Sequence, residues 1–236
     1  MADSFWEPPA SDPCVSVLLY APTGTGKTYW SLFAPDKDAP IWVIDTDRRA
    51  EPALEAAVAD QRDVRRKRCG TFGDVRKALS VVVTEARARI KAGQFPGTLV
   101  FDSGSDLQDI AADEYLAETG SKKVYPLTAW SHVFAKIEDV CWLPFKLLGL
   151  NIVIVGHEKD VYAKNGAGED VPTGETKFRG YKKFMEHVDV ILYRHDVKGG
   201  ERVMDVEKNG FALRKGFTVR HDVTLRELVA ELKKQG

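Results

Sequence analysis

Cysteine is scarce in this chain. Only Cys14, Cys69 and Cys141 occur, far apart and with no CxxC spacing. That argues against a zinc site and against a disulfide scaffold, and it fits a reducing cytoplasm. Long hydrophobic runs are missing as well, and none approaches the ~20 residues that span a bilayer. The acidic, Pro-rich start, MADSFWEPPASDP, lacks the apolar stretch of a signal peptide. Neither sign of charge dominates: Lys plus Arg number 34 and Asp plus Glu 35, for a net charge of -1. A uniformly basic nucleic-acid binder is therefore excluded, although a local basic patch is not. Internal repeats and low-complexity tracts are absent. What is present is the composition of an ordinary globular protein, 44% hydrophobic and 29% charged, on a chain long enough to bury a core without staples.

Residues 1–13 read as a flexible arm, because Pro8, Pro9 and Pro13 block regular structure, with Phe5 and Trp6 free to dock on a neighbour. Residues 14–236 read as one domain. Short β-branched runs at 15–20, 41–44, 98–101, 152–155 and 188–193 alternate with helical patterns at 74–91, 106–118 and 129–148. Pro144 is placed to kink or split the last of these. Near-continuous apolar strands separated by helices predict an α/β fold whose parallel sheet is covered on both faces. Stretches at 190–193, 202–206 and 211–213 predict antiparallel strands near the C-terminus, the first pair turned at Gly199 and Gly200. Thr224 and Glu227 form a capping box that opens a final helix.

The strongest chemical signal directly follows the first strand: Ala21-Pro-Thr-Gly-Thr-Gly-Lys-Thr28. It matches the phosphate-binding pattern GxxxxGK[ST] except for Ala21 in the first Gly position. Gly24 and Gly26 let the backbone bend so that N–H groups from Thr23 to Thr28, including those of Gly24, Thr25 and Gly26, face a phosphate. Lys27 sets an ammonium on the β- and γ-phosphates, and the Thr28 hydroxyl suits Mg²⁺. An acidic residue at the end of an apolar strand, Asp102 after Leu99-Val-Phe101, is placed to hold the same Mg²⁺. The pattern therefore predicts ATP and Mg²⁺ as ligands. A GTPase is disfavoured, because neither NKxD nor DxxG is intact, and protein-kinase signatures are absent.

Five segments in order, 18–28, 43–47, 100–104, 152–158 and 206–209, resemble the RecA-like core. More closely, they resemble the short phage RecA-like ATPases of the Sak-type single-strand annealing and recombination group. The resemblance covers roughly residues 14–215. It implies a three-layer P-loop fold with a mostly parallel sheet and a C-terminal antiparallel extension. It further implies ATP hydrolysis linked to single-stranded DNA, assembly into a ring or filament, and recombination or replication protein partners. No membrane association is implied, and a phage-encoded copy would act in the host cytoplasm. Asp47 takes the place of the carboxylate that activates water, with Asp45 as the alternative, and His157 that of a γ-phosphate sensor. Lys208, and after it Arg214, takes the place of a cation reaching across a subunit interface.

In that family the segment after the sensor strand binds DNA. Here 160–180 shows no periodicity and reads as a loop. It leads into Lys177-Phe-Arg-Gly-Tyr-Lys-Lys-Phe184, where Lys177, Arg179, Lys182 and Lys183 could track phosphates while Phe178 or Tyr181 stacks on a base. A second basic stretch, 62–68, reads better as Lys and Arg guarding an edge strand. A different class of function stays open, an ATP-dependent assembly or loading factor that uses 160–180 as a lid on a protein partner. A nucleotide sensor with negligible turnover is a third reading.

Overall fold

The computed structural model describes residues 14–47, 49–125, 127–166, 168–196, 202–212 and 216–235. The N-terminal arm with Phe5 and Trp6, the turn at Gly199 and Gly200, and Arg214 lie outside them. The elements in chain order are β1 (Ser16–Ala21), α1 (Lys27–Phe33), β2 (Ile41–Asp45), α2 (Glu51–Ala59), β3 (Val64–Arg68) and α3 (Phe72–Lys91). There follow β4 (Thr98–Asp102), α4 (Gly104–Thr119), α5 (Leu127–Ile137), a π-helical turn (Glu138–Trp142), α6 (Leu143–Leu147), β5 (Asn151–Lys164) and β6 (Asp170–Arg179). The chain closes with α7 (Lys183–His187), β7 (Val190–Asp196), β8 (Arg202–Asn209), β9 (Phe217–Arg220) and α8 (Leu225–Lys233).

One sheet joins all these strands in the order β3-β2-β4-β5-β1-β7-β8-β9, with β6 paired to β5. The strands from β3 to β7 run parallel, while β8 and β9 extend the sheet antiparallel. The apolar strands are buried on both faces because successive side chains point to opposite sides. Along β1, Leu18 and Tyr20 pack under α3, α4, α5 and the π-helical turn, while Val17 and Leu19 pack over α1, α2 and α8. The result is the expected three-layer α/β fold with a mostly parallel sheet and an antiparallel C-terminal extension. The capping box at Thr224 and Glu227 opens α8. Among the described residues, no helix is long and apolar enough to cross a membrane.

Three local features depart from the sequence reading or sharpen it. Pro144 splits the long helix: it sits in the first turn of α6, and the chain passes through the π-helical turn before it. A proline has no N–H for the preceding turn, so the ladder breaks there. The third antiparallel strand is β9, not 211–213; Phe211 and Ala212 lie in a bend, and Leu213 is outside the described residues. The segment 160–180 is not an aperiodic loop. It is most of a β5–β6 hairpin, paired from His157↔Arg179 out to Lys164↔Asp170. Both of its faces are largely solvated, so no apolar alternation marks it in the sequence.

The base of that hairpin is locked into the core. Phe178 is buried, edge-on to Tyr20 with ring centroids 6.3 Å apart. It lies where a side chain at Gly156 would be, since a Cβ there would come within 2.3 Å of the Phe178 ring. Gly156→Ala is expected to destabilise the fold by ~1–3 kcal/mol through overpacking. Phe178→Leu in the same chain should recover part of that loss. Denaturant unfolding of the two single variants and the double variant measures the coupling, and strict additivity would contradict the contact.

Candidate nucleotide-binding site

Parallel pairing brings three strand ends and the middle of β5 to one edge. Ala21 at the end of β1 pairs with His157 on β5, and Asp45 at the end of β2 pairs with Asp102 at the end of β4. The loop from Pro22 to Gly26 leaves β1 and turns directly into α1. Gly24 and Gly26 have φ of 85° and 83°, the left-handed region that glycine enters without strain. Thr23 and Gly24 lie on the open side of the turn, and a Cβ on Gly24 would meet nothing within 4 Å. The Thr25 hydroxyl donates to the Pro22 carbonyl at 3.0 Å, which ties the loop across itself.

Lys27 is buried, and its Nζ donates to the carbonyls of Ala21 at 2.9 Å and Pro22 at 2.8 Å. Burial lowers its pKa below the usual lysine value, while Asp102, Glu158 and Asp47 pull the other way. The Thr28 hydroxyl donates to a carboxylate oxygen of Asp102 at 2.7 Å. Asp102 is only 4% exposed. Burial pushes its carboxyl up to about 6 against the pull of the Thr28 hydrogen bond, and the neighbouring Asp45 and Asp47 add to the rise.

The two candidates for a water-activating carboxylate have different surroundings. Asp45 is fully buried, with Arg66 at 3.5 Å and Arg68 at 4.0 Å on β3. Asp47 is partly exposed, and its Oδ2 lies 3.5 Å from His157 Nε2. Its backbone is held by the Asp102 carbonyl. Arg49 approaches the other Asp47 oxygen at 3.4 Å. Asp106, in the first turn of α4, completes a group in which ligand atoms of Asp47, Asp106 and His157 lie within 4.8 Å of one another. The His157 N–H donates to Ser105 Oγ at 2.9 Å, which fixes the strand end.

Other residues singled out from the sequence lie elsewhere. Lys208 sits opposite Ile191, away from the strand ends that carry the loop. Its Nζ donates to the Met185 and Glu186 carbonyls at 3.0 and 2.7 Å, closing the end of α7. Lys177, Arg179, Lys182 and Lys183 are exposed at the root of the hairpin; Arg179 pairs with Asp109 and Lys183 with Glu138. The base-stacking role expected of Phe178 is corrected, because its ring is core. Tyr181 is likewise buried, against Phe134 and Phe184. The basic stretch 62–68 ends in the edge strand β3, where Arg65 pairs with Asp63 and Glu85, and Arg66 with Glu51. The sequence reading missed Arg194 on β7, whose Nη1 donates to the Gly26 carbonyl at 3.0 Å. Its signal was a charge inside the apolar run Val190-Ile-Leu-Tyr-Arg194.

The raised Asp102 pKa has a testable sign. The folded chain holds a proton on Asp102 up to about pH 6, and the unfolded chain only to ~3.9. The folded state therefore binds more protons between those values, and stability falls as pH rises through that window. Above it the penalty is fully present, about 3 kcal/mol. Asp102→Asn, without nucleotide or metal added, should be more stable than the parent at pH 8 by up to that amount. The advantage should shrink as pH falls toward 4. Urea unfolding across this range measures it, and a pH-independent difference would refute the assignment.

The crystal structure of the RadB recombinase matches with a TM-score of 0.50 at 15% identity, covering 88% of this chain and 86% of that one. The fold is thereby RecA-like. Comparison with curated proteins finds no matching sequence. A family model described as an AAA domain matches residues 14–215. With the loop after β1, the carboxylate after β4 and this match over most of its length, the chain belongs to that AAA-domain family.

Proposed function

We propose that this protein hydrolyses ATP and acts on single-stranded DNA in phage-type recombination or annealing, assembling with copies of itself into a ring or filament. The observation that carries the nucleotide reading is the 2.7 Å contact between Thr28 and Asp102 beneath the glycine loop. A hydroxyl and a carboxylate at one point form an oxygen donor set of the kind Mg²⁺ takes. Thr28 and Asp102 would hold it, and it would supply positive charge to the β- and γ-phosphate oxygens. The site is built from this chain's own groups. Lys27, released from the two loop carbonyls, meets the phosphates together with the loop N–H groups. Asp47 accepts the proton of a water that attacks the γ-phosphorus in line; the new P–O bond forms as the bond to ADP breaks. His157 donates one ring N–H hydrogen bond to the γ-phosphate or to that water.

The DNA part of the reading rests on Lys177, Arg179, Lys182 and Lys183 at the hairpin root, with the aromatics excluded. The name of the RadB recombinase, which shares the fold, is in keeping with it. Lys208 stays the first candidate for a cation acting across a subunit interface, on the resemblance alone. A second reading has its own observation: Tyr162 and Val171 are exposed on the hairpin arms, 58% and 38%. A protein partner could cover them, as an assembly or loading factor requires.

Asp47→Asn should keep nucleotide binding and slow the chemical step by ~10²–10⁴. Single-turnover ATP hydrolysis measures this, and unchanged turnover would reduce Asp47 to an ordinary surface carboxylate. The function itself is tested by steady-state ATP hydrolysis with and without single-stranded DNA. Stimulation by DNA is expected, and it should be lost with Ala at Lys177, Arg179, Lys182 and Lys183 together, along with part of the salt dependence of DNA binding. DNA-indifferent turnover would favour the loading factor instead.

A further inference from the structure

Arg194 is a charge in an expensive place. It lies on β7 between buried strands and is 4% exposed. Burying an ion costs several kcal/mol unless partners offset it. Among the described residues, no carboxylate lies within 4.0 Å of its nitrogens. One nitrogen reaches the Gly26 carbonyl, and Nε is buried without a hydrogen-bond partner. A second guanidinium adds to the cost. Arg202, at the start of β8, lies against the same glycine. A Cβ on Gly26 would sit 3.4 Å from Arg202 Nη1 and 3.6 Å from Arg194 Nη2. Arg202 thus disfavours the charge on Arg194, and Lys27 is a third cation within electrostatic reach of Arg194. Among the described residues, the carboxylate paired with Arg202 is Asp196, 3.5 Å from Arg202 Nε and largely in solvent.

Holding the loop is enough to explain one arginine. It does not explain two cations converging on one glycine, one of them buried with no carboxylate of the described residues within 4.0 Å. An anion placed there would relieve both. The strand order fixes where it must lie: β4, with Asp102, is on one side of β1, and β7 and β8 are on the other. We propose that Arg194 and Arg202 form a second wall of the phosphate site, binding the phosphate chain of a nucleoside di- or triphosphate from the side opposite Asp102. The cations come from the same chain as the loop. This rests on the nucleotide reading above and adds the side on which positive charge is supplied.

The decisive variant is Arg202→Gln, since its side chain is 45% exposed and its loss leaves the core intact. Titration calorimetry of the full chain with MgADP, over a range of salt concentrations, reads the outcome. Arg202→Gln should weaken binding roughly tenfold, as the loss of a charge-assisted hydrogen bond does. The dependence of affinity on salt should also flatten. Arg194→Gln should weaken binding further, with thermal unfolding run alongside to separate loss of fold from loss of ligand. Lys27→Ala serves as the control that locates binding in the loop. If the parent binds MgADP and Lys27→Ala does not, while Arg202→Gln matches the parent in affinity and salt slope, the arginine wall is refuted and the nucleotide site stands. If Arg202→Gln weakens only an oligo-dT strand, the pair belongs to nucleic-acid phosphate and the inference fails. If the parent itself binds no nucleotide, the nucleotide reading fails, and the arginine wall with it.

Discussion

In-register parallel pairing of β2, β4, β5 and β1 is the constraint on which the site depends. β1, β2 and β4 end at the same edge of the sheet, and β5 leaves its parallel neighbours there at His157, so these groups meet. Ala21 hands the chain to the glycine loop; Asp102 and Asp45 are the last residues of their strands; His157 is the register partner of Ala21. None of these groups is close in sequence. Sliding one strand by two residues would keep every apolar face buried and still move its polar end some 7 Å along the edge. The large buried residues on both faces, from Leu18 and Phe101 on one to Trp30 and Leu192 on the other, therefore hold the chemistry in place.

That edge is electrostatically tense. Asp45, Asp47 and Asp102 crowd one side of β1, Arg194 and Arg202 the other, and Lys27 sits at the end of β1 between them. Local hydrogen bonds absorb part of the strain: Asp102 takes the Thr28 hydroxyl, Lys27 takes two carbonyls, and Asp45 has the arginines of β3 nearby. What remains shows in the shifted titration of Asp102 and Lys27. Groups whose charge is costly in the bare protein are the groups a charged ligand can repay, which is why such shifts gather at functional clefts.

The parts of this arrangement legible in the sequence were those carried by local rules. A glycine pattern after an apolar strand, an acid closing another strand, and a Thr/Glu capping box each depend on neighbours a few residues away. The parts that were not legible depend on contacts distant in sequence. Phe178 looks like a base-stacking aromatic until Gly156 and Tyr20, both far from it in sequence, are seen to enclose its ring. The hairpin from β5 to β6 escapes notice because a two-stranded arm with both faces in water needs no apolar alternation. Arg194 carries no local motif to mark it. Its meaning lies in Gly26, on the neighbouring β1 side of the sheet, and in Arg202.

Lys27 carries a consequence for the affinity of ligand capture. Its ammonium is already engaged by two main-chain oxygens, so a phosphate does not simply fill a waiting charge. It must win the ammonium from those oxygens. The apparent affinity is then the intrinsic affinity scaled by the fraction of molecules whose lysine has let go. Weakly charged competitors, unable to outbid two carbonyls, are discriminated against before any other part of the ligand is read. In this structure the loop is closed by its own side chain, whose ammonium any anion would have to win from two carbonyls.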